Sequence, residues 1–437
     1  MTPSSVPVLS DAVAVLCVFL ILLVPCAWAG LALINTGLGR SRSAAHAMLA
    51  SLCVIGVASL AYFVFGFSWQ GLGGQPAHIV NIAGKPWSWI AAEPLFLRGL
   101  PLDGTPSSLA LWLQMFSVVL AALIPLGAGA DRWRLSAVCL STAFFAGWTY
   151  PVFAHWVWSA GWLEQLGENY GLGRGFVDAG GSSVLQTVGG LTALSISWIL
   201  GPRRGKYGAE GMPSAIPGHN AVLVLFGCLL AMLGWMGLNS AGAILLSRVE
   251  PGRAVLIAIN TTLAAGSAAL AAAAVTKARF GKPDASLCAN GWVGGLVASS
   301  AGCAFIAPAA AVIIGLMAGA IVVFSIELFE ARLTVDDPGG AISVHAMCGI
   351  WGILAVGLFA RFRNPVPNDA AQWLAQLVGV GTLLGFVLPM TFGLNALLDR
   401  FYPQRVAADG ERQGMDLHEL GAGAYPEFFT HSDDFQR

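Results

Sequence analysis

The sequence predicts an all-α polytopic membrane protein of eleven transmembrane helices arranged as an inverted five-plus-five repeat. Three observations carry this reading. Of 437 residues, 56% are apolar and only 10% are charged, against about 25% charged in an average soluble domain. Eleven apolar runs are long enough, or nearly so, to cross a bilayer. Two short segments, opening the fifth and tenth runs, match one another without a gap. A soluble globule of this length needs a charged surface, and disorder needs the opposite composition, so both are excluded. The 54 Gly and 22 Pro fit a membrane bundle, where small residues let helices approach and neighbours re-satisfy freed backbone groups.

Crossing the hydrocarbon takes about 20 apolar residues. The runs lie near 11–35, 45–67, 107–128, 135–156, 180–200, 219–246, 253–277, 287–302, 307–330, 341–361 and 373–398. The run at 287–302 is short and Gly-rich. An AWAG follows Cys26 in the first run and could pass for a cleavage site. No Lys or Arg precedes it, and the apolar stretch is long enough to span, so it reads as a retained helix. An odd number of spans puts the termini on opposite sides. Fifteen Lys and Arg fall in loops and tail on the C-terminal side and seven on the other, the latter being Lys85, Arg98, Arg174, Arg248, Arg253, Arg361 and Arg363. The more basic side faces the cytoplasm, so the cell membrane is crossed with the N-terminus external and the C-terminus cytoplasmic. The chain divides into a transmembrane domain, 1–398, and a polar tail, 399–437; the long external connection at about 68–106 holds no clear span.

The net charge of −1 gives no reason to expect nucleic acid or another polyanion. Eight cysteines are scattered singly, with no CxxC and no Cys/His cluster, and read as small buried apolar residues. Neither a nucleophile–base pair nor a phosphate loop is present, so the chain reads as no enzyme and needs no cofactor and no metal.

The matching segments are DAGGSSVLQTVGG at 178–190 and DPGGAISVHAMCG at 337–349, both D-x-G-G-x4-[Q/H]-x3-G. Asp178 matches Asp337, Gln186 matches His345, and Gly190 matches Gly349. The fifth and tenth of eleven spans run in opposite directions, the signature of an inverted repeat with its site near the midplane. Each aspartate starts a helix, where a carboxylate caps free N–H groups and complements the dipole. Eight residues further on lies about 12 Å deeper, against a half-core of about 15 Å. Gln186 and His345 are therefore expected to meet near the bilayer centre, lining a central pore. An ionisable residue within a span usually faces a pathway.

On these residues the chain resembles the ammonium transporter (Amt/Mep/Rh) family. DAGGSSVLQTVGG is similar to that family's D-[FY]-A-G-[SG]-x-V-V-H-x-x-[GA]-G, and VDDPGGAISVHAMCGIWG to its DDP-x5-VH-x-x-CG-x-x-G. Further likenesses follow in order, among them LQMFSVVLAALIPLGAGADRWRLS, WTYPVFAHWVWSAGWL, PGHNAVLVLFGCLLAMLGWMGLNSAG and the tail's RQGMDLHELGAGAYP. The resemblance implies eleven spans, a homotrimer with one pore per subunit, and ammonium or ammonia as substrate.

The resemblance also implies site residues. Trp158 stands where the family has its external tryptophan, whose face attracts ammonium by about 0.5–2 kcal/mol. Gly242 stands where serine is usual, leaving Ser117 or Ser240 to supply a hydroxyl. The two gating phenylalanines fall at Ser117, beside Phe116, and at Leu238, so the gate is altered. Asp178, His345, Trp235 and Asn239 match family positions, with Asp178, Asp337 and Trp235 as structural support. The largest departure is Gln186 in place of the first pore histidine: glutamine keeps the polar outline but cannot titrate, so a two-imidazole proton relay is unavailable. This favours electroneutral passage of the uncharged form; a non-conducting ammonium sensor is the alternative. Family tails contact the neighbouring subunit and the PII signalling protein. Here Leu420 and Ala422 replace the His and Glu that usually flank the tail's glycine, which weakens the PII expectation more than the subunit contact.

Overall fold

The eleven apolar runs become eleven helices in the computed structural model, which describes residues 9–72, 78–363, 366 and 368–425. They are α1 (Asp11–Leu38), α2 (Ser41–Gln70), α3 (Pro106–Gly129), α4 (Leu135–Trp158), α5 (Ser182–Leu200), α6 (Ala221–Leu245), α7 (Pro251–Phe280), α8 (Ala285–Ser300), α9 (Pro308–Leu333), α10 (Ile342–Phe359) and α11 (Asp369–Phe401). Among the described residues, ten are long and apolar enough to cross a membrane. The exception is α8, with 16 residues. It is largely buried against α7, α9 and α10, and a Cβ on Gly295 would overlap the Ala264 carbonyl of α7. A helix wrapped by protein needs small residues for close approach more than a long lipid-facing apolar run.

Helix starts follow local chemistry. Thr105 caps α3 just before Pro106, Asn220 Oδ1 accepts from Leu223 N in α6, and Asp284 Oδ1 accepts from Leu287 N in α8. Each side chain satisfies an N–H that has no intrahelical partner.

The α2–α3 connection contains an element the sequence did not reveal. Strands β1 (His78–Ile82) and β2 (Lys85–Ile90) pair antiparallel. Ala83 and Gly84 both have positive φ, as a tight hairpin turn requires. The hairpin is pinned to the bundle: Ser88 Oγ lies 3.0 Å from His155 Nε2, and Trp156 Nε1 donates to the Trp89 carbonyl at 2.7 Å.

At the opposite end, buried charges clamp the odd-numbered connections. Arg203, after α5, donates to both Asp336 oxygens and to Asp131 Oδ2. Arg132, after α3, is fully buried and donates to the carbonyls of Ala130, Gly201 and Asp336. Burial alone would raise the Asp336 carboxyl, but hydrogen bonding from Arg203 and the charges of Arg132 and Arg203 hold it below the usual range. The tail returns to this end. Glu411 accepts from Arg204 N and Arg405 Nη2. Asp416 accepts from the Ala45 and His46 amides in the first turns of α2.

Candidate functional site at the α5–α10 crossing

The repeat seen in the sequence is a repeat in space. Asp178 accepts from the Gly181, Ser182 and Ser183 amides just before and within the first turn of α5. Asp337 Oδ2 accepts from Ile342 N at the start of α10. The second glycine of each motif, Gly181 and Gly340, takes positive φ, +92° and +67°, a conformation costly for other residues. Both helices then open with a π-helical turn, Ser182–Thr187 and Ile342–Met347, and these turns carry Gln186 and His345.

The helices cross antiparallel, and glycines set how closely. A Cβ on Gly352 would lie 2.9 Å from Ser182 Oγ, and one on Gly349 would lie 2.7 Å from the Ser182 carbonyl and overlap Thr187 Oγ1. A Cβ on Gly190 would overlap the Ala346 amide nitrogen. As the number rises along α5, that of its neighbour on α10 falls, which is the opposed direction the inverted repeat demands.

At this crossing Gln186 Oε1 lies 2.7 Å from His345 Nδ1, both side chains buried. An amide oxygen only accepts, so Nδ1 carries the proton and, in the neutral ring, Nε2 carries the lone pair. Gln186 Nε2 has no partner among the described residues. The pair can orient a small polar molecule, but only the imidazole can exchange a proton.

A mouth opens at the end of the bundle where the even-numbered connections gather, on the Asp178 side of α5. A cavity of about 360 Å³ there is lined by residues from the α4–α5, α6–α7, α8–α9 and α10–α11 connections. Trp158 and Asp178 both line it, and Trp158 Nε1 donates to the Asp178 carbonyl at 2.7 Å. The helix start that aims Gln186 therefore also fixes the indole.

The remaining sequence-predicted residues are placed as follows. Phe116 packs edge-on to Trp28, with ring centroids 4.6 Å apart, and to Trp112. Ser117 and Leu238 are buried, as is Trp235, whose indole nitrogen has no partner among the described residues. Asn239 Nδ2 donates to Thr261 Oγ1, and its amide oxygen sits where a Cβ on Gly180 would go. Gly242 is backed by the same loop: a Cβ there would lie 2.8 Å from the Ala179 carbonyl. A serine at this position would press on backbone beside Asp178, so the departure from serine accompanies tight packing.

Sequence reasoning missed the arginines. Arg174, Arg248, Arg253 and Arg363 line the Trp158 mouth. All four belong to the seven basic residues counted on the less basic side. Their number was legible; their convergence from three separate connections and the first turn of α7 was not.

Comparison with known proteins follows the same lines. The sequence matches the Ammonium Transporter Family over residues 12–425. It is 33% identical over 435 residues to ammonium transporter Amt2 of Archaeoglobus fulgidus, covering 95% of this chain and 88% of the relative. It is 31% identical to ammonium transporter 1 member 3 of Solanum lycopersicum, covering 91% and 89%. Among solved structures, it superimposes on a Sensor Amt Protein with a TM-score of 0.84 at 27% identity, covering 93% of this chain and 97% of that one. Mep2 of Candida albicans shares the fold, with a TM-score of 0.78 at 22% identity over 97% and 92%.

Proposed function

Because the chain belongs to the ammonium transporter family, whose curated relatives are named ammonium transporters and not enzymes, we propose that it passes ammonium nitrogen across the membrane as uncharged ammonia. The observation that carries this is the contact of Gln186 Oε1 with His345 Nδ1. A bare cation in an apolar tube pays a large desolvation cost. Leaving the proton behind avoids that cost. A proton that reached His345 could not be handed to Gln186, because an amide has no accessible protonation step. Passage is then electroneutral.

In this reading Trp158 receives ammonium at the external mouth. Phe116, Ser117 and Leu238 form the narrowing above the pair, with Asn239 and Gly242 shaping its wall. Asp178, Asp337 and Trp235 hold the frame. The charge-clamped end and the tail face the cytoplasm, as the 15 to 7 distribution of basic residues favours. Residues 1–398 form the conducting domain and 399–437 the tail, in a homotrimer within the lipid bilayer; a PII-type protein is the weaker partner of that tail.

Proteoliposomes test the reading. An inward ammonium gradient should alkalinise the lumen faster than in protein-free vesicles, without a saturable current. Large, saturable, ammonium-specific currents would sink it. The likeness to the Sensor Amt Protein favours a second reading, a binding member that does not conduct. Silent vesicles together with saturable ammonium binding would select that one.

A further inference from the structure

Scattered singly along the chain, two of the eight cysteines meet in the fold. The thiol of Cys139, on α4, is hydrogen-bonded to that of Cys53, on α2. Both are free and half-buried.

Helix packing puts them together independently. Both helices start at the charge-clamped end, where Glu419 joins His46 to Leu135, so they run in the same direction. A Cβ on Gly147 of α4 would lie 4.0 Å from the Cβ atoms of Ala61 and Phe65 on α2. Cys139 precedes Gly147, and Cys53 precedes Ala61, by the same eight residues. Equal offsets on parallel helices keep the two side chains level. Their chain neighbours Val54 and Val138 are buried, so the thiols sit at the rim of the α2–α4 contact rather than within it. Other cysteines are placed differently. Cys228, Cys303 and Cys348 are buried and donate to backbone carbonyls. Cys26 and Cys288 are half-buried on α1 and α8.

Thiols already in contact need only a small closing movement to reach an S–S length of about 2.0 Å. A rim position also admits a small uncharged oxidant, and oxidation follows exposure. We propose that Cys53 and Cys139 are a dithiol–disulfide site, oxidised by a peroxide and tying α2 to α4. One sulfur takes an oxygen from hydrogen peroxide, giving a sulfenic acid and one water. The second sulfur displaces that oxygen as a second water, forming the S–S bond. The two thiols lose two electrons and two protons, and the peroxide O–O bond is broken. A dithiol reductant reverses the step by exchange. The bond would clamp two helices whose π-helical turns, Tyr62–Gly66 and Phe145–Thr149, pack closely enough that a Cβ on Gly66 would overlap the Ala146 carbonyl. The site rests on α2–α4 packing alone, so its failure leaves the transport reading untouched.

Peptide mapping of the purified full-length protein in lipid nanodiscs tests it. The reduced protein is treated with hydrogen peroxide at mildly alkaline pH, where thiolate is available, then alkylated and digested. The peptides bearing Cys53 and Cys139 should be joined within one chain and released by dithiothreitol. Their yield should exceed that of any link to Cys26 or Cys288 by about tenfold or more, since those thiols have no such partner geometry. Cys53→Ser and Cys139→Ser should each abolish the link and leave the remaining thiol open to alkylation, while Cys26→Ser should leave it unchanged. The wild-type map stands even where a variant does not fold. Cys53 and Cys139 both still fully alkylated after peroxide, links to Cys26 or Cys288 in equal yield, or a link formed only between chains on non-reducing electrophoresis would each overturn the proposal.

Discussion

Gln186 Oε1 and His345 Nδ1 stand 2.7 Å apart, one from each half of an inverted repeat and each the eighth residue after its aspartate. The two halves are therefore equivalent in backbone and unequal in chemistry. One contributes an amide that fixes the tautomer of the other's imidazole. One member of the pair can change charge and the other cannot.

Replacing that member is the direct test. Gln186→His puts a second titratable ring at the crossing and should raise ammonium-dependent current in proteoliposomes by about tenfold or more, within the range of a single positioned acid–base group. Gln186→Leu should instead strand the Nδ1 proton of His345 and cost about 1–3 kcal/mol of stability. Solid-supported membrane currents read the first effect and thermal unfolding in detergent the second. Unchanged current in Gln186→His would show that the proton step lies elsewhere.

The closeness of the crossing depends on Gly190 and Gly349. Alanine at Gly190 meets the Ala346 backbone of the facing helix, and alanine at Gly349 meets the Thr187 hydroxyl and, at 2.7 Å, the Ser182 carbonyl. Each substitution should cost about 1–3 kcal/mol or more through overpacking and lengthen the Gln186–His345 contact. Gly266→Ala on α7, where a Cβ meets nothing within 4 Å, should change stability little. Unfolding temperatures of the three variants, measured side by side, check the contrast.

These glycines also show what a sequence can and cannot disclose. The D-x-G-G motif was readable as a repeat, and its spacing placed Gln186 opposite His345, where the structure has them. Span positions were readable because lipid demands long apolar runs, and α8 was the weakest for the reason that it faces protein instead. The hairpin escaped because its turn is Ala83–Gly84 rather than a pair with an obvious preference for positive φ. The π-helical turns escaped because nothing in a hydrophobic pattern distinguishes them from α-helix. The packing behind Gly242 and the gathering of arginines from several connections depend on tertiary approach, which a single chain of letters does not encode locally.

The charge clamp gives a pH dependence of defined sign. Asp336 is buried and, through Arg203 and Arg132, its carboxyl titrates below its ordinary value. A depressed carboxylate contributes stability that is present above its unfolded pKa, about 3.9, and lost as pH falls through the lower folded value. Wild-type protein should therefore hold its unfolding temperature down to about pH 4 as far as this group is concerned. Arg203→Ala leaves the carboxylate buried with its main partner gone, at a cost of about 3–5 kcal/mol near neutrality. Because the carboxyl's pKa then rises, part of that loss should be recovered on mild acidification, as protonation removes the buried charge. A pH series of thermal unfolding on both proteins reads the opposite slopes; parallel curves would refute the assignment.

The tail offers a separable test, because it caps a helix it does not belong to. Asp416 accepts from the amides of Ala45 and His46, two of the first N–H groups of the α-helical part of α2, which lack intrahelical acceptors. Glu419 Oε2 holds His46 Nε2 at 2.8 Å and Leu135 N at 2.9 Å, joining the starts of α2 and α4. Asp416→Ala removes a tertiary cap, whose loss costs about 0.5–2 kcal/mol in comparable positions. The bundle keeps its buried core, so its unfolding temperature should fall only slightly, while limited proteolysis should release the segment after Phe401 several-fold faster than in wild type. Glu419→Gln should act in the same direction but less, because the amide oxygen can still accept from Leu135 N while the charge facing His46 is gone. If both variants resist proteolysis as wild type does, the tail is held mainly by Glu411, which takes Arg204 N and Arg405 Nη2 at 2.7 and 2.8 Å, and Glu411→Ala should then be the variant that frees it.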